Sequence, residues 1–373
     1  MPARRARGKH PPGRENALSI EEPFSHNDRK NKMTYKVVTL PRVIKICILL
    51  LIVFLAVVVV SMLVGTARID IITGLKGLLY GWYKGSSVLT PSEKTIIFSI
   101  RFPRIIFAGI VGASLSTAGV VFQALLRNPL ADPYILGISG GSAVGAITGI
   151  IIGASVVPFG ITGLAFLGAI LTVILVFGIA KTGRELQSNT LLLAGVIVNA
   201  FFAAIIMFLI STSRNAELHN IMFWLMGDLS LSTGAEIILT GFFSITGFIA
   251  IYIYSRSMNL IVTGEETAMQ LGVNVERTKK ILFLVASLVT GVAVSVSGII
   301  GFVGLIIPHI IRMMLGSDHR LLLPASFLFG ASFLAIADTI ARTVVSPTEL
   351  PVGVITALCG APYFIYLLRR RTV

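Results

Sequence analysis

Apolar runs of about 20 residues, cut by charged or Gly/Pro-rich breaks, recur along the whole chain. Ten are discernible, at 43–65, 105–126, 134–154, 160–180, 190–211, 235–255, 281–298, 299–316, 321–341 and 350–368, the seventh and eighth parted only by Gly298. A helix crossing a hydrocarbon core of about 30 Å needs about 20 residues, and a span in lipid must satisfy its own backbone. The pattern therefore predicts an all-α integral membrane protein with about ten transmembrane helices.

Composition leaves little alternative. Of the 373 residues 55% are hydrophobic and 13% charged, with a mean hydropathy of +0.89. That is too little polar surface to cover one water-soluble body, so soluble enzymes, nucleic-acid-binding domains and disordered chains are excluded. Cys47 and Cys359 both lie in apolar runs, which supports neither a disulfide framework nor a Cys-based zinc site.

Charge sets an expected topology. With the N-terminus inside, the outer side holds only Arg68, Lys76, Lys84, Lys94, Arg101, Arg104, Arg214 and Arg342, and the other 23 of the 31 basic residues are cytoplasmic. This obeys the positive-inside rule and puts both termini in the cytoplasm of a multi-pass cell-membrane protein. The net charge of +14 then reflects topology and anionic lipid, and no nucleic-acid partner is expected.

Residues 1–40, rich in Arg, Lys, Pro, Glu and Asn, read as a disordered basic cytoplasmic tail before a ten-helix transmembrane domain at 41–373. No apolar core of a cleavable signal precedes Val43, and Met33 offers an alternative start. Between the first two runs, Ile71, Ile72, Leu75, Leu78, Leu79 and Trp82 recur at helical spacing, as in an interfacial helix or a cap over the bundle. Gly112, Ser116, Gly119 and Pro129 recur 179 residues later as Gly291, Ser295, Gly298 and Pro308, which points to an inverted repeat.

Several segments stand out chemically. Gly109, Gly112, Ser116 and Gly119 in the second run, and Gly137, Gly140, Gly141 and Gly145 in the third, suit close helix packing or a substrate path. From Gln123 to Pro133 two prolines forbid a continuous helix, so the backbone must turn at the inner face, in protein or beside a wet cavity. The interior loop 256–280 carries a capping-box spacing at Thr263 and Glu266, a helix-ending Gly272, and an apolar side from Ala268, Met269 and Leu271. A short capped helix there is suited to docking a cytoplasmic partner, or folds back on its own bundle.

On the outer side Arg101 and Arg104 flank Pro103, and Arg342 ends the ninth run; such guanidinium forks suit partner carboxylates or lipid phosphates. Asp338, four residues before Arg342, would form an ion pair with it and weaken its claim to docking. His309, beside Pro308, reads as structural, and Trp224 with Gly227 as an interfacial anchor and a bend. There is no phosphate-binding loop, HExxH or GxSxG, and no chain of buried carboxylates. No catalytic residue, metal site or cofactor is expected, and a stand-alone ion-driven carrier or a membrane enzyme is disfavoured.

Taken together the motifs resemble the FecCD/BtuC-like permease subunits of ABC importers for iron-siderophores, haem and cobalamin. The resemblance rests on RFPR at 101–104, GASLSTAGVVFQALLRNPLADPYILGISGG at 112–141, LLLAGVIVN at 191–199 and WLMGDLS at 224–230. It continues through GEETAMQLGVNVERTK at 264–279, SGIIGFVGLIIPHIIR at 297–312, ADTIAR at 337–342 and ELPVGVITALCGAPYFIYLL at 349–368. It implies ten helices per subunit and a homodimer with two cytoplasmic ATPases and an extracytoplasmic substrate-binding protein. It further implies that Arg101, Arg104 and Arg342 receive that binding protein. Gly264, Glu265, Glu266, Ala268, Leu271 and Gly272 would seat on the ATPase, and Asn128 and Leu130 with the Ser188, Asn189, Thr190 turn would form a cytoplasmic gate. The expected cargo is an iron(III)-siderophore-type chelate, with cobalamin or haem as alternatives; the chain itself is not an enzyme.

Overall fold

A computed structural model describes residues 38–67, 70–80, 89–182, 185–186, 188–230 and 232–371. The expected disordered tail up to residue 37, and Arg68, Trp82 and Lys84, lie outside the described residues. Among the described residues seven helices are long and apolar enough to cross a membrane. They are α1 (Leu40–Leu63), α4 (Phe102–Leu125), α6 (Gly160–Ala180), α7 (Ser188–Thr212), α9 (Gly234–Ile253), α12 (Val275–Ser297) and α14 (His319–Thr343). The other three apolar runs fall on shorter or partly described helices: α5 (Ile138–Ile151), α13 (Val303–Leu315) and α15 (Val352–Arg371).

Shorter helices complete the chain: α2 (Ile71–Tyr80), α3 (Pro91–Lys94), α8 (Asn215–Met226), α10 (Ser255–Thr263) and α11 (Glu265–Gln270). A π-helical turn, Thr95–Arg101, leads into α4, and a minimal antiparallel pairing of 181–182 with 185–186 precedes α7. The predicted helix between the first two spans is α2, on which Ile72 and Leu75 are exposed.

The core is organised around α4. Its apolar window is 89% buried, against 17% for α1 and 22% for α7, so α4 is sheathed by protein while α1 and α7 show apolar side chains outward. The small-residue stripe explains how neighbours come so close. A Cβ on Gly112 would lie 2.2 Å from the Gly330 carbonyl oxygen of α14, and one on Gly119 would lie 1.9 Å from that of Gly304 on α13. Ser116 donates across the same seam to the Ser326 carbonyl at 2.8 Å. In α5, Gly141 and Gly145 admit the Gly168 and Leu164 carbonyls of α6 in the same way. Where lipid offers no hydrophobic drive, such backbone approach is what holds helices together.

Two backbone breaks shorten the flanking helices. After α4 the chain turns through Arg127 in the left-handed region (φ 46°), then an Asn128 side-chain turn, then a 3-10 turn, Pro133–Leu136, capped by Asp132. The second break, Gly298 to Phe302, separates α12 from α13. It meets the ends of α8 and α15: Asp228 N–H donates to the Ser297 carbonyl, Val352 N–H to that of Gly227, and Ile299 N–H to that of Trp224. The Tyr134 hydroxyl joins both breaks, donating to the Ile300 carbonyl at 2.5 Å and accepting from its N–H at 2.9 Å. Irregular backbone persists here because protein groups satisfy it.

Candidate functional site: two charged clusters at the ends of α4

Helix α4 spans 24 residues, about 36 Å at 1.5 Å per residue. The expected functional residues gather at its two ends.

At its N-terminal end the three expected docking arginines have partners within the chain, Arg101 and Arg342 buried and Arg104 half-buried. Arg101, placed by the π-helical turn, donates to the carbonyls of Met62 (2.8 Å), Leu63 (3.2 Å) and Ala67 (2.7 Å), and so caps the C-terminus of α1. Asp338, fully buried on α14, lies between the other two: Arg104 Nε is 3.0 Å from Oδ1 and Arg342 Nε is 3.0 Å from Oδ2. The Asp338–Arg342 pair expected from the i,i+4 spacing is therefore present. Arg104 also reaches Glu349 Oε2 at 2.6 Å, and that glutamate side chain is 40% exposed. Of the cluster's links, the Arg104–Glu349 pair is the one open to solvent.

At the C-terminal end of α4 the gate and coupling residues converge. A cleft of about 670 Å³ lies between them, lined by Leu126, Arg127, Ser188, Asn189, Glu265, Glu266, Met269, Val275, Glu276 and Lys279. The Ser188 hydroxyl donates to the Leu125 carbonyl at 2.9 Å, filling an acceptor left over at the end of α4. Ser188, Asn189 and Thr190 are the first residues of α7 and not the expected turn, because that hydroxyl docks the start of the helix onto α4. Leu130, whose N–H donates to Asn128 Oδ1, is 39% exposed.

The coupling segment differs from expectation in its cap. Thr263 is the last residue of α10, and its hydroxyl donates back to the Leu260 carbonyl, so no capping box with Glu266 forms. The N-cap is Gly264, at φ 152° a conformation few side chains adopt. Gly272, at φ 85°, ends the segment as expected. Ala268 is fully buried and joins Ile261 and Val275 in a small core separate from the main one. Met269, at the edge of the cleft, and Leu271 are 56% and 62% exposed.

Glu265 carries the charge at this end. Its Oε1 is 2.5 Å from Arg127 Nη2 and 3.1 Å from Lys279 Nζ, and Lys279 in turn lies 3.4 Å from Ser188 Oγ. Burial pushes the Glu265 carboxyl up, but hydrogen bonds and charge from Lys279, then Arg127, outweigh it and hold the group below the usual carboxylate range. Lys279 has 7% side-chain exposure, although the positive-inside count makes it only one of the cytoplasmic charges. Its lysine spacing gave no sign of a link to Ser188, 91 residues earlier. His309, expected to be structural, is buried in α13 beside the Phe364 ring.

Comparison with known proteins gives this architecture a context. The FecCD transport family model matches residues 49–370. The chain is 47% identical over 282 residues to the cobalamin import system permease protein BtuC of Halobacterium salinarum, covering 76% of this chain and 75% of that one. It is 40% identical over 285 residues to the hemin transport system permease protein HmuU of Yersinia pestis, covering 74% of this chain and 84% of that one. A solved structure described as an inward-facing metal-chelate type ABC transporter superposes with a TM-score of 0.74 at 30% identity, covering 88% of this chain and 99% of that one. With a membrane bundle built around one sheathed helix and a family match over nearly all of it, this chain is an ABC importer permease and belongs to the FecCD transport family.

Proposed function

We propose that this permease works as a homodimer, driven by two cytoplasmic ATP-hydrolysing subunits and fed by an extracytoplasmic binding protein, and that its cargo is a bulky metal chelate. The family match over residues 49–370 carries this reading. All ten apolar helices cross the membrane in it, with the 179-residue repeat relating two halves of opposite direction and both termini cytoplasmic. The positive-inside count assigns the Glu265 end of α4 to the cytoplasm and the Arg104 end to the outside.

On this reading Met269 of α11 and Leu271 at its C-cap meet the ATPase, and the turn of Asn128 and Leu130 with the start of α7 at Ser188, Asn189 and Thr190 closes the inner gate. The chain's own residues perform no bond chemistry; partner ATP turnover would shift two packings of the subunits. The cargo expected from the motifs is an iron(III)-siderophore-type chelate. A cobalamin or haem cargo is favoured by relatives named for cobalamin and hemin import.

Two tests follow. Met269→Asp with Leu271→Asp is expected to abolish co-purification of the ATPase, with the permease's own size-exclusion profile unchanged because both side chains are exposed. Retention of the ATPase would refute α11 as its seat. At the other end, Glu349→Gln releases the Arg104 fork for an incoming carboxylate. Binding-protein affinity should rise about threefold, the equivalent of an exposed ion pair worth about 0.7 kcal/mol. Unchanged or weaker binding in a titration would remove Arg104 from the docking surface.

A further inference from the structure

The coupling helix α11 is joined to the membrane bundle in an unusual way. Its one fully buried side chain, Ala268, packs with Ile261 and Val275 in a core of its own, apart from the main core around α4. Between α11 and the two gate segments lies the cleft of about 670 Å³. Apolar packing therefore does not carry α11 onto the gate. What crosses is charge: Glu265, the first residue of α11, meets Arg127, adjacent to Asn128 of one gate segment, and Lys279 of α12, which reaches Ser188 of the other.

We propose that Glu265 is the positioning residue that ties the coupling helix to both gate segments at once, so that a displacement of α11 moves Arg127–Leu130 and Ser188–Thr190 together. The inference rests on the importer reading above and adds to it the element that transmits the movement. Three features support a transmitting role over a stabilising one. A single carboxylate oxygen serves both cations, at 2.5 Å and 3.1 Å, so neither link changes without the other. Lys279 is nearly buried, at 7% side-chain exposure, so its link to Glu265 is screened little by water and salt. Glu265 follows Gly264, which at φ 152° sets the change of direction between α10 and α11. A displacement of α11 therefore displaces what its carboxylate holds.

The test uses the complete transporter, co-purified with its ATP-hydrolysing subunits and reconstituted with its binding protein, measuring both ATP hydrolysis and cargo uptake. Glu265→Gln keeps the length of the side chain and removes its charge. It is expected to lower uptake per ATP hydrolysed tenfold or more. Lys279→Gln should act alike, and the Glu265→Gln/Lys279→Gln double variant should be no worse than either single one, since both cut one tether. Wild-type uptake per ATP in Glu265→Gln, or fully additive losses in the double variant, would overturn the proposal. Loss of the ATPase from Glu265→Gln would also overturn it, by making Glu265 part of the docking seat. The wild-type arm reports on the importer reading separately: if the wild-type chain retains no ATPase, that reading falls and the tether with it.

Discussion

Asp338→Ala is expected to destabilise the folded permease by about 3–5 kcal/mol, the cost of deleting one partner from a buried ion pair. Asp338 is fully buried, and its two oxygens hold Arg104 and Arg342, each at 3.0 Å. Removing the carboxylate leaves Arg342, with 5% side-chain exposure, facing Arg104 across a site built for a negative charge. Arg104 keeps Glu349, so its loss is partial. The measurement is the fraction of monodisperse protein recovered in detergent after a heating series. The double variant Asp338→Asn/Arg342→Gln should recover at least half of the loss, because the orphaned cation goes with its partner. Wild-type behaviour of Asp338→Ala would show that the buried cluster contributes nothing to holding α4 against α14.

The second large effect lies in the seam that buries α4. Gly119→Leu places a side chain where even a Cβ would sit 1.9 Å from the Gly304 oxygen, 2.6 Å from its carbonyl carbon and 2.7 Å from its Cα. All three are backbone atoms, so no flexible side chain can yield; α13 must move off α4. Overpacking of this kind costs about 1–3 kcal/mol and more where the neighbour is backbone. It also pulls at Gln123, whose amide donates to the Gly304 and Leu305 carbonyls, and at Pro133, which touches Gly304. Loss of both folded yield and uptake is expected. Gly178→Leu on α6 is the control: a Cβ there has nothing within 4 Å, and leucine favours the helix by about 0.8 kcal/mol. Equal tolerance of the two substitutions would contradict the account of the α4 stripe.

Much of this was readable from hydrophobic periodicity, since a span in lipid is nearly uniform in composition and about 20 residues long. Each of the ten apolar runs meets a helix, and Gly112 and Gly119 mark a packing seam as small residues should. What the pattern hid is long-range. The Arg101 guanidinium caps α1 at Met62, 39 residues earlier in the chain, because a free helix terminus attracts any donor that the fold brings near. Local spacing announces only the i,i+4 partner of Arg342. The Arg104–Asp338 link spans 234 residues and has no local signature.

The capping-box reading at Thr263 failed because a glycine was available one residue later and could adopt the φ of 152° that the junction between α10 and α11 requires. The shorter helices α5 and α13 look like ordinary spans in sequence. The junction of α8, α12 and α15 at Gly227, Gly298 and Gly353 is set by backbone pairing between distant segments: a Cβ on Gly353 would lie 2.2 Å from the Met226 oxygen, and one on Gly298 would lie 2.2 Å from that of Trp224. Such contacts are made of carbonyls, which sequence does not vary.

The most direct test of the central claim is uptake into sealed vesicles of purified permease, with and without its ATP-hydrolysing subunits, using cobalamin, haem and a ferric siderophore in turn. The account predicts accumulation of one of these chelates only when the subunits, the binding protein and ATP are all present. Accumulation against a gradient by the permease alone would contradict it.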